Sequence, residues 1–223
     1  MTSTFYKDGH YLTVANQVEE HLNQQADFLS EETARSPRAV GDASEGLVAN
    51  SFDTFLGSFC QEYSKDFARR AMADLAFLDS ENVYTIVDVK THRESTDFNM
   101  PNLTSVERLA RFYESNQNVF ALLMIKYRID SLKVIVAEVK FAPIEFLDWS
   151  CLTIGALGWG QIQIKNSNQI IVNDGYSRKQ WMLNLCDVLI NRFYPGEISK
   201  IAERVNRFES VRQFWLEQPE IYQ

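Results

Sequence analysis

The sequence predicts an α/β fold, of the α+β kind in which a mixed sheet is flanked by helices. Two patterns predict it. Apolar residues recur at spacings of three and four towards both ends of the chain, and the stretch between them holds short β-prone apolar runs separated by turn residues. From about residue 13 to 29, Val14, Val18, Phe28 and Leu29 punctuate a polar segment in the manner of a surface helix. Arg35 to Asp42 carries Pro37 and Gly41 and reads as a loop leading into a helix capped near Asp42 or Ser44. Leu47, Val48, Phe52, Phe55, Leu56 and Phe59 then give one strongly apolar face to a helix from Ser44 to about Tyr63. Ala73 to Leu78 and Val83 to Val89 are short apolar runs joined by Asp79-Ser80-Glu81-Asn82, a hairpin-turn composition, so two antiparallel strands are expected. Residues 102 to 114 read as a helix, 118 to 127 and 132 to 146 as strands, and 151 to 172 as a Gly-rich loop between β-prone pieces. Two helices end the chain, from about Ser177 to Phe193 and from Glu197 to Leu216, with a break expected at Pro195-Gly196.

With 223 residues, 45% of them hydrophobic, the chain can bury a substantial core, and a single domain is expected. No apolar run approaches the length of a membrane span, and the N-terminus lacks a basic segment followed by an apolar one, which points to a cytoplasmic protein with no membrane partner. Cys60, Cys151 and Cys186 are odd in number and far apart, which argues against a disulfide framework or a zinc site and for ordinary buried thiols. The formal charge of -8 is unfavourable for a general polyanion binder. Net charge says little about one concave face, however, and a carboxylate cluster repels phosphate less once it holds a divalent cation.

Chemistry concentrates where the second run of the hairpin ends. Successive strand residues point to opposite faces, so Tyr84, Ile86, Asp88 and Lys90 share one face, and the turn after Leu78 folds the preceding strand back so that Asp74 approaches the same edge. Two carboxylates then converge with one ammonium. Hard oxygen ligands in that number suit Mg²⁺, which can polarise a phosphate and acidify a water while Lys90 orients that water or stabilises charge at phosphorus. Glu138-Val139-Lys140 is a competing pair on another expected strand. Asp74 precedes Asp88 by thirteen intervening residues across a plausible hairpin, and no comparable partner precedes Glu138, so the first pair is preferred. Either pair is also compatible with a plain surface ion pair on a strand edge.

The pattern Ala73-Asp74, an apolar strand, then Val87-Asp88-Val89-Lys90 resembles the PD-(D/E)xK nuclease motif, with alanine in the place of the usual proline. Asp88-Val89-Lys90-Thr91 followed by Phe98-Asn99-Met100-Pro101-Asn102-Leu103-Thr104-Ser105 is similar to the stretch after the catalytic strand in HincII-type restriction enzymes, relatives of EcoRV. Gly160-Gln161-Ile162-Gln163-Ile164 with Ser177-Arg178-Lys179-Gln180-Trp181 is similar to their recognition strand and following helix. The resemblance spans roughly residues 40 to 190. It implies a restriction-endonuclease-like core at 41–190 between an N-terminal helical arm (1–40) and a C-terminal helix (191–223).

The same resemblance implies Asp74, Asp88 and Lys90 as catalytic residues, the two aspartates holding Mg²⁺ with Mn²⁺ able to substitute. It also places Glu45 as a glutamate assisting the metal site from the preceding helix, although a first-turn glutamate complementing the helix dipole would look the same. Gly155, Ala156, Gly158, Trp159, Gln161 and Gln163 would form a loop entering a DNA groove, the alternative being a tight turn with Trp159 in the core. Asn99, Asn102 and Thr104 are expected at phosphates or minor-groove edges, or else as turn and cap residues. Arg69, Arg70, Arg93, Arg178 and Lys179 are candidate phosphate clamps, the alternative being ordinary solvated surface cations, and His92 can bond a phosphate if the strand continues past Lys90. The partners expected are double-stranded DNA, a second subunit matching a palindromic site, and a cognate DNA methyltransferase. A type II restriction endonuclease leaving 5′-phosphate ends is therefore the expectation, with a structure-specific repair or junction nuclease and a non-catalytic DNA-binding or interaction protein as alternatives.

Overall fold

In the computed structural model, which describes residues 3–25, 36–65, 73–97, 100–131, 133–175 and 177–218, the apolar run expected to carry the chemistry is the central strand of a mixed sheet. The strands are β1 (Cys60–Ser64), β2 (Leu75–Asp79), β3 (Tyr84–Arg93), β4 (Asn102–Ser105), β5 (Asn118–Asp130), β6 (Lys133–Pro143), β7 (Leu152–Gly155) and β8 (Gln161–Ile164). The helices are α1 (Thr4–Lys7), α2 (His10–Gln24), α3 (Pro37–Leu56), α4 (Val106–Phe112), α5 (Arg178–Val188) and α6 (Tyr194–Leu216). Five strands form one sheet in the order β1-β2-β3-β5-β6, and β4-β8-β7 form a second. Strands β3 and β5 are parallel, and the other neighbours in the large sheet are antiparallel. The parallel step needs a crossover, which β4 and α4 supply. The fold is thus mixed α/β with a mixed sheet flanked by helices, as expected.

Register divides the large sheet into two chemically distinct faces. Leu75 and Phe77 of β2, Val87 and Val89 of β3, Ala121, Leu123 and Ile125 of β5, and Phe141 of β6 are buried together with Val14, Val18 and Leu22 of α2 and Val48, Phe52 and Leu56 of α3. Burying this apolar face against two helices is the main drive for the arrangement. The other face carries Ile86, Asp88, Lys90 and His92, and here the paired rows turn polar: Lys90, Met124 and Lys140 lie in one row, and His92, Lys126 and Glu138 in the next. A sheet with one apolar and one partly polar face fixes its register, because a one-residue slip would put Asp88 into the core.

Several boundaries differ from expectation for identifiable reasons. Helix α2 begins at His10, and the expected helix beyond residue 25 lies outside the described residues. Helix α3 starts at Pro37 rather than near Asp42, because proline suits the first helical position and Ser36 caps the end by accepting from the Ala39 N–H at 3.3 Å. It stops at Gly57, and Cys60–Ser64 is an edge strand rather than the helix end that Phe55 and Phe59 suggested. Residues 102–105 are a strand before the helix of 106–112.

Two compact units divide the chain after Arg178. Within the second, no break occurs at Pro195. The chain passes from α5 through a π-helical turn, Leu189–Phe193, into α6, and the wider turn accommodates the residue that lacks an N–H. Trp181 and Leu185 are buried, whereas Trp215 is exposed. The three cysteines are free, and Cys186 is exposed rather than buried.

A buried ion pair closes the first unit. Glu145 is fully buried, accepts from the Tyr113 hydroxyl at 2.6 Å and from Arg178 Nε at 2.8 Å, and the Arg178 guanidinium lies over the Tyr113 ring at 4.4 Å. Removing one partner of such a pair strands the other charge in low dielectric, so Glu145→Ala is expected to lower the unfolding free energy by about 3–5 kcal/mol. Urea melts followed by circular dichroism measure this, and a change below about 1 kcal/mol would contradict it.

Candidate active site

The hairpin between β2 and β3 sets the site. Asp79 holds its turn, accepting from the N–H groups of Glu81 and Val83 at 2.9 and 2.8 Å, and Asn82 takes the left-handed conformation that closes it. With Leu75 paired to Val87, the residue before Leu75 stands abreast of Asp88, and that residue is Asp74. Its N–H donates to the Val87 carbonyl at 2.9 Å, and its Oδ2 accepts from the Val89 N–H at 2.7 Å. Asp74 is therefore clamped from both ends of its own residue to the strand that carries Asp88.

Lys90 lies two residues on from Asp88, on the same face, and its Nζ donates to Asp88 Oδ1 at 2.6 Å. Asp88 is 4% exposed, and its Oδ2 is buried without a hydrogen-bond partner in the structure. Burial pushes the Asp88 carboxyl up to about 7; Asp74 and Glu45 push it in the same direction, while the Lys90 ammonium opposes them. Glu45 reaches this neighbourhood because α3 runs close to β3: a Cβ on Gly41 would stand 3.0 Å from the Thr91 hydroxyl, so glycine permits the approach one turn before Glu45. Asp42, Glu45, Lys65 and Asp74 line a cleft of about 340 Å³. The sequence reading missed Asp42 and Lys65 as members of this cleft. The i, i+3 spacing of Asp42 and Glu45 was a usable signal once the helix is known to start at Pro37; Lys65 follows an edge strand that had been read as helix.

Among the described residues, no three of His, Cys, Asp and Glu gather into a complete metal cage. Mg²⁺ does not require one, since it binds through one or two carboxylates and completes its shell with water and phosphate oxygens. An orphaned, buried carboxylate oxygen beside a second carboxylate, with a proton affinity raised by burial and, to a lesser degree, by the neighbouring Asp74 and Glu45, is a donor set that fits such an ion. The competing pair differs. Glu138 and Lys140 contact each other at 3.4 Å on the outer strand β6, Lys140 also donates to the Ile170 carbonyl, and the cross-strand neighbour of Glu138 is Lys126 rather than a carboxylate.

The remaining expected residues are more scattered in role. His92 shares the Lys90 face but is buried and bonded to Asn168 Oδ1 at 2.9 Å. Arg93 is half-buried. Asn102 is exposed and accepts from Gln163 Nε2 at 2.6 Å, and that Gln163 side chain lies directly over Gly155, where a Cβ would collide with it. Thr104 is buried at 4% exposure, within β4. Gly155 and Gln161 end the β7–β8 hairpin, and Ala156, Gly158 and Trp159 lie in its exposed loop. Gly158 and Gly160 both have positive φ, and Trp159 is exposed at the tip rather than in the core. Arg178 is committed to Glu145, and Lys179 is exposed on the second unit. Asn99, Arg69 and Arg70 lie outside the described residues. No described helix is long and apolar enough to cross a membrane. Set against known proteins, the chain matches no family model and no curated sequence.

Proposed function

We propose that the chain is a Mg²⁺-dependent type II restriction endonuclease of the PD-(D/E)xK kind, similar to EcoRV and HincII, acting in the cytoplasm as a homodimer on a short palindromic duplex site. The observation that carries the reading is Asp74 abreast of the buried Asp88, with Lys90 donating to Asp88 on the same strand face. Asp74 and Asp88 would hold the ion, and Glu45 would add negative charge at its edge. When bound, Mg²⁺ supplies charge neutralisation at the scissile phosphate and lowers the pKa of water, with Mn²⁺ as a substitute. Lys90 holds its ammonium at the developing charge and keeps Asp88 from being fully protonated near neutrality. The exposed β7–β8 loop, with Trp159 at its tip, supports a segment that enters a groove, and Asn102 with Gln163 forms an amide pair beside it. A cognate methyltransferase protecting the same site belongs to this reading.

Digestion of unmethylated phage DNA with Mg²⁺, followed by sequencing of the fragment ends, tests it. Discrete fragments bearing 5′-phosphates at one repeated sequence are the expected result. Intact DNA across varied duplexes would sink the proposal, and cutting confined to branched DNA would move the same site to a junction or repair nuclease.

A further inference from the structure

We infer that helix α6 pairs with α6 of a second copy as a parallel two-stranded coiled coil. Along Tyr194–Leu216 the residues Tyr194, Ile198, Ile201, Val205, Phe208, Arg212 and Trp215 are spaced alternately by four and three, the a/d seam of three heptads. An α-helix of this length extends about 35 Å, enough for the whole seam to meet a partner. The seam is uncovered: Ile198, Ile201, Val205, Phe208 and Trp215 are each more than half exposed. Ile201, Val205 and Phe208, edged by Arg204, Glu209 and Arg212, line an apolar hollow on the helix, the kind of hole that receives a knob from a facing helix.

Charge decides which occupant fits. With Ile198, Val205 and Arg212 at a positions, Arg204 falls at g and Glu209 at e, and both are exposed. In a parallel pair each g residue faces the e residue five positions later on the other helix, so Arg204 meets the second copy's Glu209, and symmetry makes the contact twice. The remaining g/e pairings are Glu197 with Ala202 and Val211 with Leu216, neither of which sets like charges together. An antiparallel pair with the same residues in the seam would place Arg204 near Val211 and Glu209 near Ala202, leaving no ion pair. β-Branched Ile198 and Val205 at a positions suit two strands, and one polar a residue, Arg212, fixes register at a cost in stability, since it faces Arg212 of the second copy across the seam. The inference uses the C-terminal helix alone and stands or falls separately from the nuclease reading, which itself calls for two subunits.

Light scattering and sedimentation of the full chain, without DNA or Mg²⁺, test it. The wild type is expected to dimerise at micromolar concentration. Phe208→Glu should raise the dimer dissociation constant by about 30-fold or more, since it puts a carboxylate into the seam. Arg204→Glu should raise it by roughly tenfold, and Arg204→Glu combined with Glu209→Arg should restore it to within about threefold of wild type. Ser210→Glu, on the outer face of the helix, should change nothing. Far-UV circular dichroism checks that each variant folds, and the charge-reversal set involves only exposed residues, so it carries the test if Phe208→Glu does not fold. A monomeric wild type, a dimer indifferent to Phe208→Glu, or a double reversal no better than the single would each overturn the inference, the last by pointing to an antiparallel pair or to a different partner.

Discussion

Lys90→Ala is expected to slow Mg²⁺-dependent duplex cleavage by about 10³-fold, and Asp88→Asn by at least as much, in single-turnover digestion of a duplex carrying the site. Two effects add for Lys90. Its Nζ is a charged donor fixed 2.6 Å from Asp88 Oδ1 and aimed along the polar face of the sheet, so its loss removes a preorganised positive charge. It is also the group that opposes the rise of the Asp88 carboxyl, so without it Asp88 holds its proton more tightly and offers a weaker ligand. Lys140→Ala is the matched control, because Lys140 shares the face two strands away and donates to the Ile170 carbonyl. If Lys140→Ala were inactive and Lys90→Ala cut normally, the chemistry would belong to the Glu138–Lys140 pair.

The parts of this site legible in the sequence are those fixed by local geometry. Alternation along Tyr84–Arg93 assigns Asp88 and Lys90 to one face whatever the rest of the chain does, and a four-residue turn rich in Asp, Ser and Asn announces a hairpin. From these two facts Asp74 follows almost by counting. Glu45 was reachable only through the family resemblance, since its nearness to Asp88 depends on where α3 crosses β3, a packing outcome set by residues such as Gly41 and Thr91 that carry no periodic signal. Strand β1 was hidden because Cys60-Gln61-Glu62-Tyr63-Ser64 is an edge strand with mixed burial, and the helical spacing of Phe52, Phe55 and Phe59 runs straight into it. The start of α3 was hidden by Pro37, which breaks helices in their interior and begins them at their first position. The expected roles of Arg178 and His92 illustrate a further limit: residue type proposes a phosphate contact, but only the fold reveals that Glu145 and Asn168 already occupy them.

In EDTA the protein is expected to lose stability as pH rises from 5 to 8 through Asp88, by on the order of 2–3 kcal/mol from this one group. The sign follows from the direction of the shift. The Asp88 carboxyl titrates near 7 in the folded protein, whereas an unfolded aspartate titrates near 3.9. Between those values the folded state binds more protons than the unfolded state. Stability from Asp88 is therefore fully present below about pH 4 and declines as pH rises through the folded value. Other carboxylates contribute their own slopes, so the quantity to measure is the difference between wild type and Asp88→Asn in urea melts at each pH. The substitution should be stabilising in EDTA at pH 8 and less so at pH 5. Mg²⁺ should narrow the difference, because it competes with the proton for the same oxygens. At pH 8 a concentration ten times the dissociation constant adds about 1.4 kcal/mol to the wild type, at pH 5 it adds much less, and to Asp88→Asn it adds little at either pH. Equal Mg²⁺ stabilisation of the two proteins would mean that the ion binds elsewhere, and that the buried aspartate is a structural strand residue with no part in holding it.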